Sequence, residues 1–399
     1  MYDQIREDTL FIILYTVVTT IALMASCYLL FRQGNAFARD VTPPVRLRRW
    51  TAAYFAAAAL GHLWYMPIFF LSSSEDIVRI DLVGGLLDSM TLFPLAIIVM
   101  LNMLQDRQRP LWPIALMIAP FVVGCVFSVA TLSYALIPML YVYLMLLIVC
   151  IVIYMVRATR QYGRWLRDNY ADLEHKEVWQ SFVVLAFILL LIVFYAFVSE
   201  GPLFQYAMQV IGIVLIGYLL WRVETLSDLS LPINDVEDLN VPDKRGHGIS
   251  PGEKFSLSQN IGLLLQQHCI ETQLYLQHDL TLLQLTQAVG TNRFYLSQYF
   301  SSLDMNYNAY INDLRINHFV GLYREAVDSQ RSFTVQHLAL ESGFRSYSTF
   351  SDAFKRKMGL SVRSWIKAAS EREQSHACLE SAERKQARPE GKLRNLQNK

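Results

Sequence analysis

Charge is scarce in the first half of this chain of 399 residues, and that scarcity separates two regions. Asp, Glu, Lys and Arg make up only 17% of all residues, whereas 53% are hydrophobic. The charged residues are concentrated beyond about residue 221, and long apolar runs precede them. Apolar runs of about 20 residues with few charges are typical of helices that cross a membrane. The sequence therefore predicts a membrane region followed by a polar region.

Motifs for catalysis and for metal binding are also missing. The five cysteines show no CxxC or Cys/His spacing, which argues against a zinc site and favours reduced thiols. The sequence contains no kinase, nucleotide-binding or nucleophile motif. We therefore expect that the protein is not an enzyme and that it uses no cofactor and no metal.

Seven apolar runs predict a seven-span transmembrane domain over residues 1–221. The runs cover residues 9–31, 50–71, 81–104, 111–131, 133–156, 178–199 and 202–221. Every second loop is basic: five arginines follow the first run, and four arginines and a lysine follow the fifth. Because Lys and Arg accumulate in cytoplasmic loops, this alternation predicts an outside N-terminus and a cytoplasmic C-terminal half. A bacterial inner membrane is the expected location.

Two ionisable residues lie inside the predicted spans. His62 is in the middle of the second run and Asp88 is in the third. Both would lie roughly 10–14 Å below the outer face at 1.5 Å per residue, so a His62–Asp88 pair is geometrically allowed. An ionisable group in the bilayer is a candidate functional site by default, here a signal site. The alternative is a structural hydrogen bond between neighbouring helices.

The polar region begins and ends with segments that lack an apolar period. Residues 222–252 contain three prolines, three glycines and many charges, a composition that predicts a flexible linker. Residues 369–399 mix charges with almost no apolar residues and are expected to be disordered.

Between those segments, one helix-turn-helix pattern occurs twice. In "LTLLQLTQAVGTNRFYLSQYF" a helix with buried Leu285 ends at Gly290, and a second helix follows. In "FTVQHLALESGFRSYSTFSDAF" Leu338 and Gly343 occupy the same places, each 53 residues later. A duplicate in register predicts two related modules, and the segment between them has the apolar spacing of one long helix.

Residues 255–368 resemble the DNA-binding domain of AraC/XylS-type transcription regulators. The resemblance is carried by the two motifs above, by "YINDLRI" and by "ESGFRSYSTFSDAFKRKMGLSVRSW". The seven apolar runs and this domain together predict an all-α chain in which a seven-helix transmembrane bundle precedes the soluble domain. The resemblance itself implies seven helices in the soluble domain, assigned to residues 253–368. It also implies that two recognition helices enter successive major grooves, roughly 34 Å apart.

The resemblance also implies the DNA contacts. In the first recognition helix they are Asn292, Arg293, Phe294, Ser297 and Gln298. In the second they are Arg345, Ser346, Tyr347, Ser348, Ser351, Asp352, Lys355 and Arg356, with Lys357 as a further phosphate contact. Arg suits guanine and Gln suits adenine, and the basic residues suit phosphates. Two positions depart from the usual pattern: Asp352 replaces a basic residue and Val362 replaces a proline.

The sequence thus predicts a membrane-bound regulator whose partners are promoter DNA, the lipid bilayer and an unknown small-molecule or protein signal. A homodimer would double the contacted site, and RNA polymerase is a further expected partner. Two alternatives remain open. The membrane half is a passive anchor whose proteolysis releases the DNA-binding domain, or it is a transporter-like module with an accessory DNA-binding domain.

Overall fold

A computed structural model describes residues 8–32, 34–38, 41–71, 73–131, 135–198, 202–229 and 260–371. The described residues form helices and no strand apart from one isolated bridge, so the predicted all-α class is confirmed for them. The chain divides into two compact units. The first comprises Met1–Leu166 and Leu173–Asp243, and the second comprises Arg167–Asp172 and Lys244–Lys399.

The described helices of the first unit are mostly apolar. They are α1 (Thr9–Phe31), α2 (Val45–Tyr65), α3 (Ser74–Met103), α4 (Trp112–Thr131), α5 (Ile137–Asn169), α6 (Trp179–Val198) and α7 (Pro202–Thr225). A 3₁₀ turn over Met66–Phe69 extends α2. Five of these helices, namely α1, α2, α3, α5 and α7, are long and apolar enough to cross a membrane. The apolar parts of the other two are shorter over the described residues.

Helix α5 continues 13 residues beyond the predicted end of the fifth span, from residue 156 to Asn169. Its extension is rich in arginine, and for that reason the sequence predicted a loop. The extension is helical because Ala158, Tyr162 and Leu166, which are spaced four residues apart, are all buried. The hydroxyl of Tyr162 also donates to the carbonyl oxygen of Lys176 at 3.0 Å.

Helix α7 also extends past its predicted end, which shortens the predicted linker. It ends at Thr225 rather than at residue 221, and Leu226 and Leu229 beyond it are buried. Two charged residues of this extension, Arg222 and Glu224, are buried, and each has a polar partner. Arg222 Nε donates to Ser181 Oγ at 2.6 Å, and Glu224 pairs with Arg48 at 3.1 Å. The remainder of the predicted linker, from residue 230, lies outside the described residues.

The second unit contains the predicted pair of modules. Its helices are α8 (residues 260–265, continued by a π-helical turn at Gln266–Ile270), α9 (Leu282–Val289), α10 (Arg293–Ser302), α11 (Tyr307–Asp328), α12 (Val335–Glu341), α13 (Tyr347–Met358) and α14 (residues 362–371). The predicted single long helix between the modules is confirmed as α11, which has 22 residues and is about 33 Å long. Residues 372–399 of the predicted disordered tail lie outside the described residues.

Two apolar cores lie in the second unit. The first surrounds α9 and α10 and includes Leu265, Leu285 and Phe300; the second surrounds α12 and α13 and includes Phe319 and Phe354. Helix α11 contributes Ile311 to the first core and Phe319 to the second. Both modules are therefore packed on one continuous helix, as the sequence predicted.

Candidate nucleic-acid interface

The first helix-turn-helix module is α9 and α10, and local hydrogen bonds determine where each helix begins. Thr281 caps α9 in a capping box, because its hydroxyl accepts from Gln284 N at 3.2 Å and Gln284 Oε1 accepts from Thr281 N at 2.9 Å. Gly290 ends the helix with φ of +70°, a left-handed conformation that glycine adopts without steric cost. Asn292 Oδ1 then caps α10 by accepting from Tyr295 N at 3.0 Å.

Helix α10 presents one apolar face and one polar face. Leu296 and Phe300 are buried, as predicted, while Arg293 and Phe294 are exposed and Ser297 and Gln298 are partly exposed. Phe294 is 65% exposed, although an apolar ring of this size usually lies in a core. The polar face is therefore accessible to a ligand. Asn292, also predicted as a DNA contact, uses its amide oxygen for the helix cap.

The second module, α12 and α13, repeats this design with one difference in the turn. Thr334 caps α12, and Ser346 caps α13 by accepting from Thr349 N at 3.3 Å. Gly343 has φ of +86°, and a Cβ atom there would lie 2.7 Å from the Leu276 Cα atom. Glycine is therefore required at this turn for two independent reasons. The cap of α13 follows its glycine by three residues, whereas the cap of α10 follows Gly290 by two.

Helix α13 is anchored by aromatic packing. Phe350 and Phe354 are fully buried, and their ring centroids lie 4.5 Å and 5.8 Å from that of Phe319 on α11. The predicted polar residues lie on the opposite side of the helix. Tyr347, Ser348, Asp352, Lys355 and Arg356 are exposed, and Ser346 and Ser351 are partly exposed.

Four predicted DNA contacts on or next to α13 are basic, and their side chains differ in exposure. Arg345 Nη1 lies 3.1 Å from Asp279 Oδ2, and Lys357 Nζ lies 3.3 Å from Asp313 Oδ2 and 2.9 Å from the Asp313 carbonyl oxygen. Lys355 and Arg356 extend into solvent at the last turn of the helix. Arg345 and Lys357 are thus engaged by carboxylates, whereas Lys355 and Arg356 are exposed.

A buried arginine, whose role was not predicted from the sequence, connects the two modules. Arg315 on α11 donates from Nε to the carbonyl oxygen of Tyr275 and from Nη2 to that of Gln277, both at 2.7 Å. Its guanidinium lies 5.7 Å from the ring centroid of Phe344 in the second module. Burial lowers the pKa of Arg315, yet a guanidinium remains protonated at neutral pH. Only its place within the predicted long helix was visible in sequence.

The candidate signal site in the first unit has different partners from those considered in sequence. His62 Nε2 lies 3.1 Å from Gln209 Oε1 on α7, and Asp88 Oδ2 accepts from the Tyr65 hydroxyl at 2.9 Å. Among the described hydrogen bonds, His62 and Asp88 are not bonded to each other. The hydroxyl of Tyr15 on α1 donates to the His62 carbonyl oxygen. These residues connect α1, α2, α3 and α7, and hydropathy gave no indication of Gln209 or the tyrosines.

The two modules, with their capped helices and exposed polar faces, can be compared with known families. Residues 285–368 match the helix-turn-helix domain family. The match begins within α9 and ends within α14, so it includes both modules. It supports the AraC-type resemblance and indicates DNA-binding transcription regulation for this part of the chain. Comparison with curated proteins and with solved structures gave no match.

Proposed function

We propose that this protein is a membrane-bound, sequence-specific transcription regulator of a bacterial inner membrane. Its domains are a seven-span membrane domain, a linker and a cytoplasmic double helix-turn-helix domain. The proposal rests on one combination of features. Five apolar helices could cross a membrane, and residues 285–368 of the same chain match a helix-turn-helix domain family. In this function the membrane region senses a signal and the second unit binds a promoter.

The proposed DNA-reading surface consists of the exposed faces of α10 and α13. Arg293, Phe294 and Gln298 are suited to base edges, since Arg recognises guanine, Gln recognises adenine and an apolar group contacts the thymine methyl. Lys355 and Arg356 are suited to phosphates, which fix the register without reading sequence. Asn292, Ser297, Arg345, Ser346, Tyr347, Ser348, Ser351 and Asp352 complete the proposed surface.

DNA capture by the full-length protein in lipid nanodiscs tests this function. A library of genomic fragments is incubated with the nanodiscs, and the bound fragments are sequenced. We expect a shared motif of two half-sites separated by one helical turn, about 10–11 base pairs. The matched control carries Arg293→Ala and Lys355→Ala, two exposed positions whose truncation spares both cores. Unselective capture, or equal capture by the control, would refute the proposal.

The proposed signal site is the polar cluster around His62 and Asp88. A packing change in the membrane region would shift the population of DNA-binding states, since a ligand acts by preferring one of two states. Replacing His62 by Leu removes its contact with Gln209 and places an apolar side chain in the apolar helix. We expect a promoter reporter that no longer responds to growth conditions, with unchanged protein level in the membrane. A reporter response identical to that of the wild type would exclude His62 from signalling.

Two other functions of the membrane region lead to different observations. If it is a passive anchor, proteolysis in residues 230–259 would release the DNA-binding domain that follows the cut, and an immunoblot would detect a soluble fragment. If it is a transporter-like module, proteoliposomes would accumulate a solute. We favour intact signalling because His62, Asp88 and Gln209 are polar groups that an anchor would not need.

A further inference from the structure

A short segment from the first half of the sequence is part of the second unit. This segment, Arg167–Asp172, is called the strap below. It pairs with the residues that precede the first module: Tyr170 and Thr281 form an antiparallel bridge, and Ala171 N donates to the Leu280 carbonyl oxygen at 3.1 Å. Thr281 is the cap of α9. The strap is therefore bonded to the residue at which the first module begins.

A side chain of α11 also holds the strap. Asn308 Nδ2 donates to the carbonyl oxygens of Ala171 at 2.7 Å and Tyr170 at 3.2 Å. Asn312 Nδ2 in turn donates to Asn308 Oδ1 at 3.1 Å, which fixes the orientation of the Asn308 amide. Both asparagines are buried. The Asn308 amide is bonded through both its nitrogen and its oxygen, as is typical of a specific contact between buried polar groups.

Burial shows that the strap fills space in the first core. Ala171 is 1% exposed and packs in the same apolar cluster as Leu265, Leu285 and Phe300. The neighbouring residue Asp172 is also buried, although it carries a carboxylate. A buried carboxylate requires a favourable charge nearby, and Asp172 interacts electrostatically with Arg315.

The strap also carries charge close enough to act on the first recognition helix. Arg293, the first residue of α10, is within electrostatic range of Asp168 and Tyr170. The surrounding protein atoms lower the pKa of Arg293, and the negative charge of Asp168 acts in the opposite direction. A carboxylate within electrostatic range of this guanidinium competes with a DNA phosphate for the same cation, and it repels phosphate itself.

We propose that the strap is an autoinhibitory element through which the membrane region restrains the first helix-turn-helix module. While the strap is paired with Leu280–Thr281 and held by Asn308, the negative charge of Asp168 acts on Arg293 and DNA affinity is low. Release of the strap frees the recognition helix for DNA. The strap begins within the last turn of α5, the longest apolar helix among the described residues, because α5 ends at Asn169. This inference rests on the proposed function.

A reversible disulfide across the bridge tests the proposal in the full-length protein. Antiparallel bridge partners have Cα atoms about 4.5–5.5 Å apart, which is within the range of a disulfide. The variant carries Tyr170→Cys and Thr281→Cys, and mass spectrometry of the linked peptides verifies the bond. DNA affinity is measured in nanodiscs, before and after reduction, on a fragment obtained by the capture experiment. The oxidised and the reduced protein both lack the Thr281 hydroxyl. The loss of this helix cap therefore does not contribute to the difference in DNA affinity between them.

We expect the oxidised protein to bind DNA at least tenfold more weakly than the reduced protein. The single variants Tyr170→Cys and Thr281→Cys should show no redox effect, which controls for the native cysteines. Equal affinity in the two states, or tighter binding when oxidised, would overturn the autoinhibition. Absence of specific binding in the wild type would instead refute the proposed function, so the two failures are distinguishable.

Two further variants examine the same contact without a crosslink. Asn308→Asp replaces the donor by a carboxylate that repels both strap carbonyls, and Asp168→Asn removes the charge beside Arg293. We expect each to raise DNA affinity by threefold or more. Asp304→Asn, at an exposed position after α10, changes the net charge equally and serves as the control. If Asp304→Asn raises affinity as much as Asp168→Asn, the effect is only long-range electrostatics and the local role of Asp168 is wrong.

Discussion

The first helix-turn-helix module is completed by residues from a distant part of the chain, whereas the second is completed by residues that follow it directly. In the first, Ala171 of the strap fills the core around Phe300. In the second, α14 supplies Val362 and Trp365, and the Trp365 ring lies 5.5 Å from that of Phe354. The same helix-turn-helix framework is thus stabilised by different parts of the chain.

This difference suggests that the two modules have different roles. The second module has a self-contained core and two exposed cations, Lys355 and Arg356, at the end of α13. The first has one basic residue on its recognition helix, Arg293, and that residue lies near an acidic segment. We infer that the second module provides constant affinity for DNA and that the first is the regulated one.

The largest expected effect tests the self-contained core of the second module. Phe354→Ala removes a fully buried ring from the cluster with Phe319, Phe350 and Trp365. We expect a loss of about 3–5 kcal/mol in the free energy of unfolding of this module. Hydrogen exchange of the α12–α13 amides in the full-length protein measures the loss, because local opening is detected separately from global unfolding.

Phe294→Ala is the matched control, because Phe294 is 65% exposed on α10. It should change the free energy of unfolding by less than about 0.5 kcal/mol, as is usual for surface positions. It should nevertheless weaken DNA binding in the capture assay. A large loss of stability in Phe294→Ala would mean that its ring packs in a core rather than facing DNA.

The next largest effect compares the two turn glycines. A methyl group at Gly290 would meet no atom within 4 Å, whereas at Gly343 it would collide with the backbone of Leu276. Gly290→Ala should therefore cost about 1–2 kcal/mol from left-handed strain alone. Gly343→Ala should cost more, since the backbone must also move. Chemical denaturation of both variants measures the difference, and equal losses would contradict the close approach of Gly343 to Leu276.

The smallest expected effect is a difference in the salt dependence of DNA binding among variants of the basic residues of α13. Lys355→Ala and Arg356→Ala should each weaken DNA binding across all sequences and reduce the slope of log K against log salt by about 1. Lys357→Ala should change the salt dependence less, because its ammonium pairs with Asp313. Anisotropy titrations at several salt concentrations distinguish these outcomes. An equal slope change at Lys357 would show that its ion pair opens when DNA binds.

Local patterns were sufficient to predict much of the fold. The equal spacing of Leu285 and Leu338, and of Gly290 and Gly343, identified two modules, and the structure buries both leucines and gives both glycines a positive φ. Apolar spacing also identified α11 as one helix. These features depend on residues that are neighbours in sequence, so periodicity reveals them.

Contacts between distant residues were not predictable in this way. The pairs Arg48–Glu224 and Asn308–Ala171 join residues more than 130 positions apart. Hydropathy therefore ended α7 too early and assigned the strap to a loop, since a polar residue counts as exposed when its partner is unknown. The same limit concealed Gln209 as the partner of His62.

The strap also bears on release by proteolysis. Cleavage within residues 230–259 would cut the chain between α7 and α8, but the second unit would still include Arg167–Asp172. If the strap stays bound, the cleaved domain remains in the membrane fraction. A soluble fragment would require the strap to dissociate as well, so fractionation after engineered cleavage in this segment distinguishes an anchor from a coupled sensor.

Chromatin immunoprecipitation of the full-length protein tests most directly whether a membrane-embedded chain binds promoters. The wild type and the Arg293→Ala, Lys355→Ala double variant are compared in cells whose membrane fraction contains all detectable protein. We expect discrete promoter peaks for the wild type and their loss in the double variant. Peaks that persist in the double variant, or no peaks while the protein is intact in the membrane, would contradict this expectation.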